Sequence, residues 1–258
     1  MKVVLFCGGL GTRLREHSET IPKPLVSVGA QPLLWNLMKY YAYYGHKEFI
    51  LCLGYKGESI KQYFLNYNTY LNQNFVMNGN SMSFEPAESD IADWRIHFVD
   101  TGLHSNIGMR LLRVKEYLKD DEAFLANYSD QLSDLDLSQY VDKALSTDAI
   151  ASFTAVRPSH SFHHVQIGEE NRVDSIGAVT DTDTWVNGGY MLLKREIFNY
   201  IEEGEELVEE PFQRLVKEDK LRAYKYQGFW KAMDTFKDKI LFDRMAGAGN
   251  TPWRVWDK

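Results

Sequence analysis

Cysteine is scarce in this chain, and neither a long hydrophobic run nor an excess of positive charge is present. The 258 residues include two cysteines, Cys7 and Cys52. Both lie in apolar runs, which favours buried reduced thiols over a disulfide framework. No apolar stretch approaches the roughly 18 residues that a membrane-spanning helix needs. The formal net charge of −7 argues against general affinity for nucleic acid, because basic side chains are needed to displace counterions from phosphates. We therefore expect neither a membrane nor a nucleic-acid partner.

The composition and the first residues indicate a cytoplasmic globular protein. Met1-Lys2 leads directly into a short strand-like run that stops at glycine, which is not the layout of a signal peptide. Hydrophobic residues make up 44% of the chain and charged residues 25%. This is enough for a sizeable core in one large domain, or in one domain with a lid.

Strand-like and helix-like segments alternate through the first 150 residues. Buried runs typical of strands occupy 3–7, 48–54, 95–102 and 123–130, and helical spacing occupies 32–45, 57–71 and 106–120. This alternation predicts an α/β fold with a doubly wound, mainly parallel, Rossmann-like sheet. Ligands of such sheets bind beyond the carboxyl ends of the strands. The glycines after Cys7, the Asp-Thr-Gly after Val99 and Asp130 all fall at that edge.

The pattern changes after about residue 150, where short strand-like segments follow one another with few helices between them. We expect a smaller mixed β lid in this part of the chain. The predicted division is a nucleotide-binding α/β core at 1–150 and, at 151–258, an acceptor-binding lid with two C-terminal helices, packed as one domain. The polar, glycine-punctuated segment 72–94 is predicted to be a long irregular loop.

A glycine-rich loop with two cations follows the first strand, in "LFCGGLGTRLREHSETIPKPLV" at 5–26. It matches neither the Walker loop nor the dinucleotide fingerprint, because Leu14 stands where the latter needs a third glycine. Backbone N–H groups of such a turn can still meet a phosphate closely. Arg13 adds a fork of donors, and Lys23 adds a point charge between two prolines. Two interpretations remain open, a phosphate site and a tight turn carrying two surface cations.

The loop and a series of later segments together resemble the sugar-1-phosphate nucleotidyltransferases. "GGLGTRL" followed by "PKP" matches the family signature, and the similarity continues through "VDTG", "MRLLRV", "NYSD", "VNGGYMLL", "EEPFQRLV", "GFWKAMD" and "PWRVW". Within the family the segments are most similar to the cytidylyltransferases that use glucose 1-phosphate. The resemblance implies that CTP reacts with a phosphorylated acceptor to give a CDP-linked product and pyrophosphate. It also implies a homo-oligomer.

The resemblance assigns roles to individual residues. Asp130 and Asp234 match the family's metal-binding aspartates, and their hard oxygen ligands suit Mg²⁺; a helix cap is the alternative role for Asp234. Arg13 and Lys23 are implied to be catalytic, because they would hold the triphosphate and the departing pyrophosphate. The implied nucleotide-binding residues are Gly8, Gly9, Gly11, Thr12, Arg13, Lys23, Thr101, Gly102 and Arg110. Asn187 and Glu210 match positions that hold polar groups of the acceptor.

The acceptor half departs from the family pattern at three places. Ser129 and Gln131 flank Asp130 where the family has glycines. Three histidines, His160, His163 and His164, replace a G-R-[FY]-G loop. The lysine of a family E-K-P motif is absent from "IGAVTDTDTWVNGGY" at 176–190, whose charged residues are Asp181 and Asp183.

These departures leave the acceptor open. The histidines can be replacement donors to the acceptor, an exposed loop without function, or zinc ligands, although no cysteine or regular spacing supports zinc. Because a phosphate without a cation is costly in a partly dry cleft, we expect a phosphorylated metabolite that carries nitrogen, such as phosphoglutamine, rather than glucose 1-phosphate. Glucose 1-phosphate remains the family default. A catalytically silent nucleotide-binding subunit is the alternative from another class, but such a subunit needs no pair of metal ligands.

Overall fold

A computed structural model describes residues 1–9, 21–67, 74–85, 89–158 and 163–257. Four residues predicted to bind ligands, Gly11, Thr12, Arg13 and His160, lie outside these ranges. The strands are β1 Val3–Phe6, β2 Ser27–Val28, β3 Gln31–Pro32, β4 Glu48–Leu53, β5 Asn74–Asn78, β6 Ser81–Glu85, β7 Arg95–Asp100, β8 Ala123–Asn127, β9 Gln131–Ser133, β10 Ala151–Val156, β11 His163–Ile167, β12 Val173–Ala178, β13 Val186–Lys194, β14 Leu221–Tyr226 and β15 Trp230–Ala232. The α-helices are α1 Leu33–Tyr43, α2 Gly57–Leu65, α3 Ile107–Arg113, α4 Leu137–Leu145, α5 Glu210–Lys217 and α6 Phe236–Gly247.

A seven-stranded sheet in the order β14-β10-β13-β8-β1-β4-β7 forms the centre of the molecule. The pairs β1/β4, β1/β8, β4/β7 and β10/β14 are parallel. Strand β13 runs antiparallel to both of its neighbours, β10 and β8. The carboxyl ends of the other six strands therefore meet at one edge, where the amino end of β13 joins them. The predicted α/β fold with a mainly parallel sheet is confirmed.

Apolar side chains cover both faces of this sheet. One core cluster joins α1 and α4 to one face through residues such as Leu37 and Tyr140. The other joins α3 and α5 to the opposite face through Leu111 and Leu215. A sheet that is buried on both faces explains the continuous apolar runs of β1 and β4, whose residues alternate between the two clusters.

Strands on both sides of residue 150 share this sheet, since β10, β13 and β14 belong to it. In the later part of the described chain, the antiparallel hairpin of β11 and β12 stands apart as a two-stranded sheet. The division of ligand-binding roles at residue 150 stays a prediction.

The segment 72–94 contains a β-hairpin where the sequence predicted an irregular loop. Strands β5 and β6 pair antiparallel, with Asn78 opposite Ser81 and Gly79 in the turn at a φ of +63°. Glycine adopts this left-handed conformation without a steric penalty, which suits a two-residue turn. The sequence does carry signals of this hairpin, since Asn78-Gly79 is a typical turn dipeptide and Ser81–Glu85 alternates polar and apolar residues. Over the described ranges, the helices are all too short or too polar to cross a membrane.

Candidate active site

Three charged side chains from distant parts of the sequence meet at the carboxyl edge of the sheet. Lys23 begins a short 3₁₀ turn, Lys23–Leu25, between two prolines. Its Nζ lies 2.7 Å from Asp130 Oδ2 and 2.9 Å from Asp234 Oδ1. The side chains of Lys23, Asp130 and Asp234 are 15%, 26% and 25% exposed, so a ligand can still reach them. The two predicted metal aspartates therefore converge on one position that already holds a cation.

Pairing of two short strands brings the aspartates together. Asp130 precedes β9 and Asp234 follows β15, and these strands pair with Ala232 opposite Gln131. The Met233 N–H extends this ladder by donating to Asp130 O at 2.8 Å.

The start of α6 holds Asp234 in place. Thr235 and Asp238 form a capping box there, and the N–H of Asp234 also donates to Asp238 Oδ2 at 3.2 Å. The ammonium of Lys231 also pairs with the carboxylate of Asp238, at 2.7 Å. The helix-cap role considered for Asp234 therefore falls to its neighbour Thr235, which leaves the Asp234 carboxylate facing Lys23.

Electrostatics in this triad favour a bound cation. Burial alone would lower the pKa of the Lys23 ammonium, but Asp130 and Asp234 outweigh burial and raise it. Burial raises the pKa of the Asp130 carboxyl, Lys23 opposes that shift, and the nearby charge of Asp234 adds to it. Mg²⁺ is usually bound by one or two carboxylates together with substrate phosphates and water. Two converging carboxylates beside a glycine turn fit such an ion.

Arg110, which the resemblance placed near the phosphates, lies beneath the glycine turn. Its guanidinium donates to Gly8 O at 3.0 Å, to Leu53 O at 3.1 Å and to Thr101 Oγ1 at 2.8 Å. The side chain is 3% exposed, and burial lowers its pKa. Arg110 therefore ties the ends of β1 and β4 together and adds positive charge below the turn.

The other predicted nucleotide-binding residues within the described ranges lie at the same edge. A Cβ on Gly8 would lie 2.1 Å from Arg110 Nη1, so the arginine requires glycine there, whereas a Cβ on Gly9 would meet nothing within 4 Å. The Thr101 hydroxyl is buried and donates to Leu53 O at 2.7 Å. Gly102 has a φ of +82° and donates to Asp100 Oδ1. Gly9 borders the cleft described next.

A cleft of about 610 Å³ opens between the glycine turn and β13. It is lined by Phe6, Gly9, Ser105, Asn106, Ile107, Arg110, Tyr128, Asp130, Gln131, Asn187, Glu206, Trp230, Ala232 and Asp234. Five of the predicted site residues thus share one cleft, namely Gly9, Arg110, Asp130, Asn187 and Asp234. Sequence reasoning missed Tyr128, Glu206 and Trp230 as lining residues. The matched segments "NYSD" and "GFWKAMD" contain Tyr128 and Trp230, whereas Glu206 stands just before the matched "EEPFQRLV".

The wall opposite the carboxylates is held by polar side chains. Asn187 donates to Tyr128 Oη at 3.0 Å, and its Oδ1 accepts from the N–H of Gly189 at 2.8 Å. Gly189 has a φ of +74°, and a Cβ there would lie 1.9 Å from Gln131 Nε2. Trp230 Nε1 donates to Gly188 O at 2.8 Å. The "NGG" of the sequence is therefore a bend over which Tyr128 and Gln131 pack closely.

The remaining predicted acceptor residues of the described ranges, His163, His164 and Glu210, lie elsewhere. His163 and His164 are exposed on the hairpin of β11 and β12 and are not among the residues that line the described cleft. Glu210 begins α5, and its carboxylate accepts from the N–H of Glu206 at 3.3 Å. Glu206, and not Glu210, lines the cleft, and burial raises the pKa of the Glu206 carboxyl.

A group of charged and aromatic side chains, here called the Trp185 cluster, comprises Arg157, Asp183, Trp185 and Lys225. The Arg157 guanidinium lies 4.3 Å and Lys225 Nζ 4.9 Å from the centroid of the Trp185 ring. Asp183 pairs with Arg157 at 3.1 Å and accepts from Trp185 Nε1 at 3.2 Å. These two hydrogen-bonded partners, Trp185 and then Arg157, lower the pKa of the Asp183 carboxyl. The segment 176–190 contains no cation of its own, but the fold brings two to it, Lys225 from β14 and Arg157 from the end of β10.

Comparison with known proteins agrees with this arrangement. The family model described as nucleotidyl transferase matches residues 2–240. Glucose-1-phosphate cytidylyltransferase of Salmonella typhi is 38% identical over 100% of both chains. The probable glucose-1-phosphate cytidylyltransferase of Bacillus subtilis is 35% identical over 99% of this chain and 100% of its own.

Solved structures show the same fold. A UDP-glucose pyrophosphorylase complexed with UDP-glucose has a TM-score of 0.70 at 15% identity, covering 96% of this chain and 98% of its own. HddC from Yersinia pseudotuberculosis, complexed with GMP-PN, has a TM-score of 0.65 at 20% identity over 95% and 99%. The full-length similarity, the family match and the shared fold together identify the chain as an enzyme of the sugar-1-phosphate nucleotidyltransferase family.

Proposed function

We propose that the protein is a Mg²⁺-dependent cytidylyltransferase that transfers the CMP unit of CTP to the phosphate of a small metabolite. The observation that carries the proposal is the convergence of Asp130 and Asp234 on one cation position within the cleft. Similarity over the full length to cytidylyltransferases supports CTP as the nucleotide.

The reaction needs alignment of two anions and no nucleophilic side chain. A phosphate oxygen of the acceptor attacks the α-phosphorus of CTP, and the bond from that phosphorus to the bridging oxygen of pyrophosphate breaks. The protein must hold both anions in line and offset their repulsion. A divalent metal on Asp130 and Asp234 would supply much of that compensation. Lys23, freed from the carboxylates, would donate to the phosphates of the nucleotide, as would Arg13.

The acceptor side of the cleft is rich in groups that recognise nitrogen and hydroxyl groups. Gln131 and Asn187 present amides, and Glu206 presents a half-buried carboxylate that suits an ammonium or amide donor. This set supports a phosphorylated, nitrogen-containing acceptor such as phosphoglutamine. Glucose 1-phosphate is the second candidate, favoured by the relatives that bear its name.

A pyrophosphate-release assay with CTP, Mg²⁺ and a panel of phosphorylated acceptors tests the proposal. We expect turnover of a phosphorylated amino-acid derivative with a specificity constant well above that of glucose 1-phosphate. A value of about 10⁴ M⁻¹s⁻¹ or more for glucose 1-phosphate would favour the second candidate. Binding of CTP without turnover of any acceptor would instead favour a silent nucleotide-binding subunit.

A further inference from the structure

The Trp185 cluster carries an excess of positive charge in an acidic protein. Two of its described side chains, Arg157 and Lys225, are cations, and Asp183 is the carboxylate between them. The chain as a whole has a formal net charge of −7. Because the indole ring attracts both cations, it holds them close together despite their mutual repulsion. A site that holds two cations side by side is suited to an anion.

Strand register places the cluster on the face of the sheet that lines the cleft. Ala155 pairs with Asn187 on one side and with Lys225 on the other. Residues directly opposite each other in a sheet share a face, so Lys225 and the cleft residue Asn187 project the same way. Two strand spacings separate them by about 10 Å. Val156 pairs with Val186, which sets Arg157 beside Trp185, two residues before the cleft residue Asn187.

The cluster lies too far from the metal carboxylates to share one phosphate with them. Asp130 follows β8, and the strand order from β8 outward is β13, β10 and β14. Lys225 on β14 is therefore three strand spacings from β8, about 14 Å, and Arg157 at the end of β10 is two spacings from it, about 10 Å. The attacking phosphate of the acceptor must lie next to the α-phosphorus, on the Asp130 side of Asn187. The Trp185 cluster therefore faces the opposite end of the acceptor.

We propose that Arg157 and Lys225 bind a carboxylate at the end of the acceptor remote from its phosphate. This inference rests on the proposed cytidylyl transfer and narrows its acceptor to a phosphorylated carboxylic acid. Arg157 has five N–H donors. Nη1 donates to Thr182 O and Thr184 O, and Nη2 pairs with Asp183, so the Nε–H and the second Nη2–H remain for a ligand carboxylate. Lys225 is exposed and adds a mobile point charge beside it.

Steady-state kinetics on charge-matched acceptors test the proposal. The probes are phosphoglutamine, its α-methyl ester and glucose 1-phosphate, with wild type, Arg157→Gln and Lys225→Gln. In the wild type, we expect the ester to have a KM about tenfold above that of the free acid, as for loss of a charge-assisted hydrogen bond. Either substitution should raise KM for phosphoglutamine to the value for the ester and leave kcat within about twofold, because the chemical step takes place elsewhere.

Lys143→Gln is the matched control. Lys143 lies over the ring of Tyr224 at 4.9 Å, the same kind of contact on the other face of β14, so this variant should behave like the wild type. A substitution that raises KM for the ester or for glucose 1-phosphate by the same factor would overturn the carboxylate assignment. Turnover of glucose 1-phosphate without turnover of phosphoglutamine would overturn it too, while cytidylyl transfer would stand. Failure of the wild type to bind CTP would overturn both.

Discussion

Lys23, Asp130 and Asp234 combine one positive and two negative charges within hydrogen-bonding distance. Two carboxylates held this close repel each other, and an intervening cation removes the cost. Both carboxylates serve the same bound ion in the proposed reaction. Their contributions to catalysis should therefore be coupled rather than independent.

Replacement of either aspartate by asparagine tests that coupling. We expect Asp130→Asn and Asp234→Asn each to lower kcat on the order of a hundredfold or more, as for other losses of transition-state charge stabilisation. The double variant should be little worse than either single variant, because both side chains act on one ion. Asp243→Asn is the control, since Asp243 pairs with Lys239 on the surface of α6. Losses that multiply in the double variant would indicate separate roles for the two aspartates.

Sequence reasoning placed the carboxylates better than the cations. Asp130 and Asp234 each follow a strand-like run, and strand ends meet at one edge, so their meeting could be foreseen. Arg110 could not be placed in the same way, because a long side chain on a short helix can reach up to a ligand or down to the strands. Here it reaches down, to three groups that the ends of β1, β4 and β7 provide.

At the level of elements, the junction after β1 depends on contact between a glycine and this buried arginine. The guanidinium of Arg110 occupies the space that a side chain at residue 8 would need, and its own hydrogen bonds prevent it from moving away. The neighbouring Gly9 has open space instead. Two adjacent glycines thus serve different purposes.

Alanine at each position should separate these purposes. We expect Gly8→Ala to lower the free energy of unfolding by about 1–3 kcal/mol, because at least one buried hydrogen bond of Arg110 must break. Gly9→Ala should leave stability within about 0.5 kcal/mol and act on nucleotide binding, since a methyl group there projects into the cleft. Urea unfolding of both variants and of the wild type measures the difference. Equal losses of stability would show that the arginine contact is unimportant.

The pairing of β10 with β13 and β14 explains why the sequence did not predict the Trp185 cluster. The stretch 176–190, which replaces the family lysine, holds no cation. Arg157 and Lys225 are distant from that stretch in sequence and reach Trp185 only through the sheet order. Local patterns indicate which residues form strands, but they do not indicate which strands lie side by side. The contact of Arg157 and Lys225 with Trp185 depends on which strands are neighbours, so the sequence alone did not predict it.

For the molecule as a whole, the central sheet could be predicted from the sequence. The alternation of strand-like and helix-like segments indicates a mainly parallel sheet even where the bounds of single segments are inexact. The boundary at residue 150 was harder to foresee, since a change in helix content does not show whether later strands extend the first sheet. An acidic protein that binds a nucleotide triphosphate must also concentrate its positive charge locally. Arg110 and Lys23 place two cations at this edge of the sheet, and a metal ion on Asp130 and Asp234 would release Lys23 for the phosphates.

Ligand-induced stabilisation tests this picture and the choice of nucleotide. With Mg²⁺ present, a nucleotide at 100 times its dissociation constant should stabilise the protein by about 2.7 kcal/mol. We expect the largest rise in Tm with CTP, and smaller rises with UTP, dTTP and ATP at the same concentration. In the Asp130→Asn protein, most of the Mg²⁺-dependent rise in Tm with CTP should be lost. Greater protection by UTP or ATP than by CTP would contradict the proposed specificity.

The position of Lys23 between the two aspartates has a consequence for the order in which ligands arrive. A metal ion that approaches the free enzyme must displace an ammonium group that already neutralises its ligands. A metal ion that arrives with a nucleotide brings phosphates that accept the same ammonium. Binding of the metal alone should therefore be weak, and metal and nucleotide should enter together.

Removal of the ammonium should abolish this order. In the absence of nucleotide, Lys23→Met should bind Mn²⁺ about tenfold more tightly than the wild type, a difference of about 1.4 kcal/mol, and electron paramagnetic resonance of free Mn²⁺ measures it. Lys239→Met should leave the affinity unchanged, because Lys239 is as buried as Lys23 but pairs with Asp243 on α6 instead of with the two aspartates. Equal affinities in wild type and Lys23→Met would show that the lysine does not compete with the metal. With CTP present, Lys23→Met should no longer bind Mn²⁺ more tightly than the wild type. In the wild type, Lys23 then donates to the phosphates of CTP and no longer competes with the metal ion.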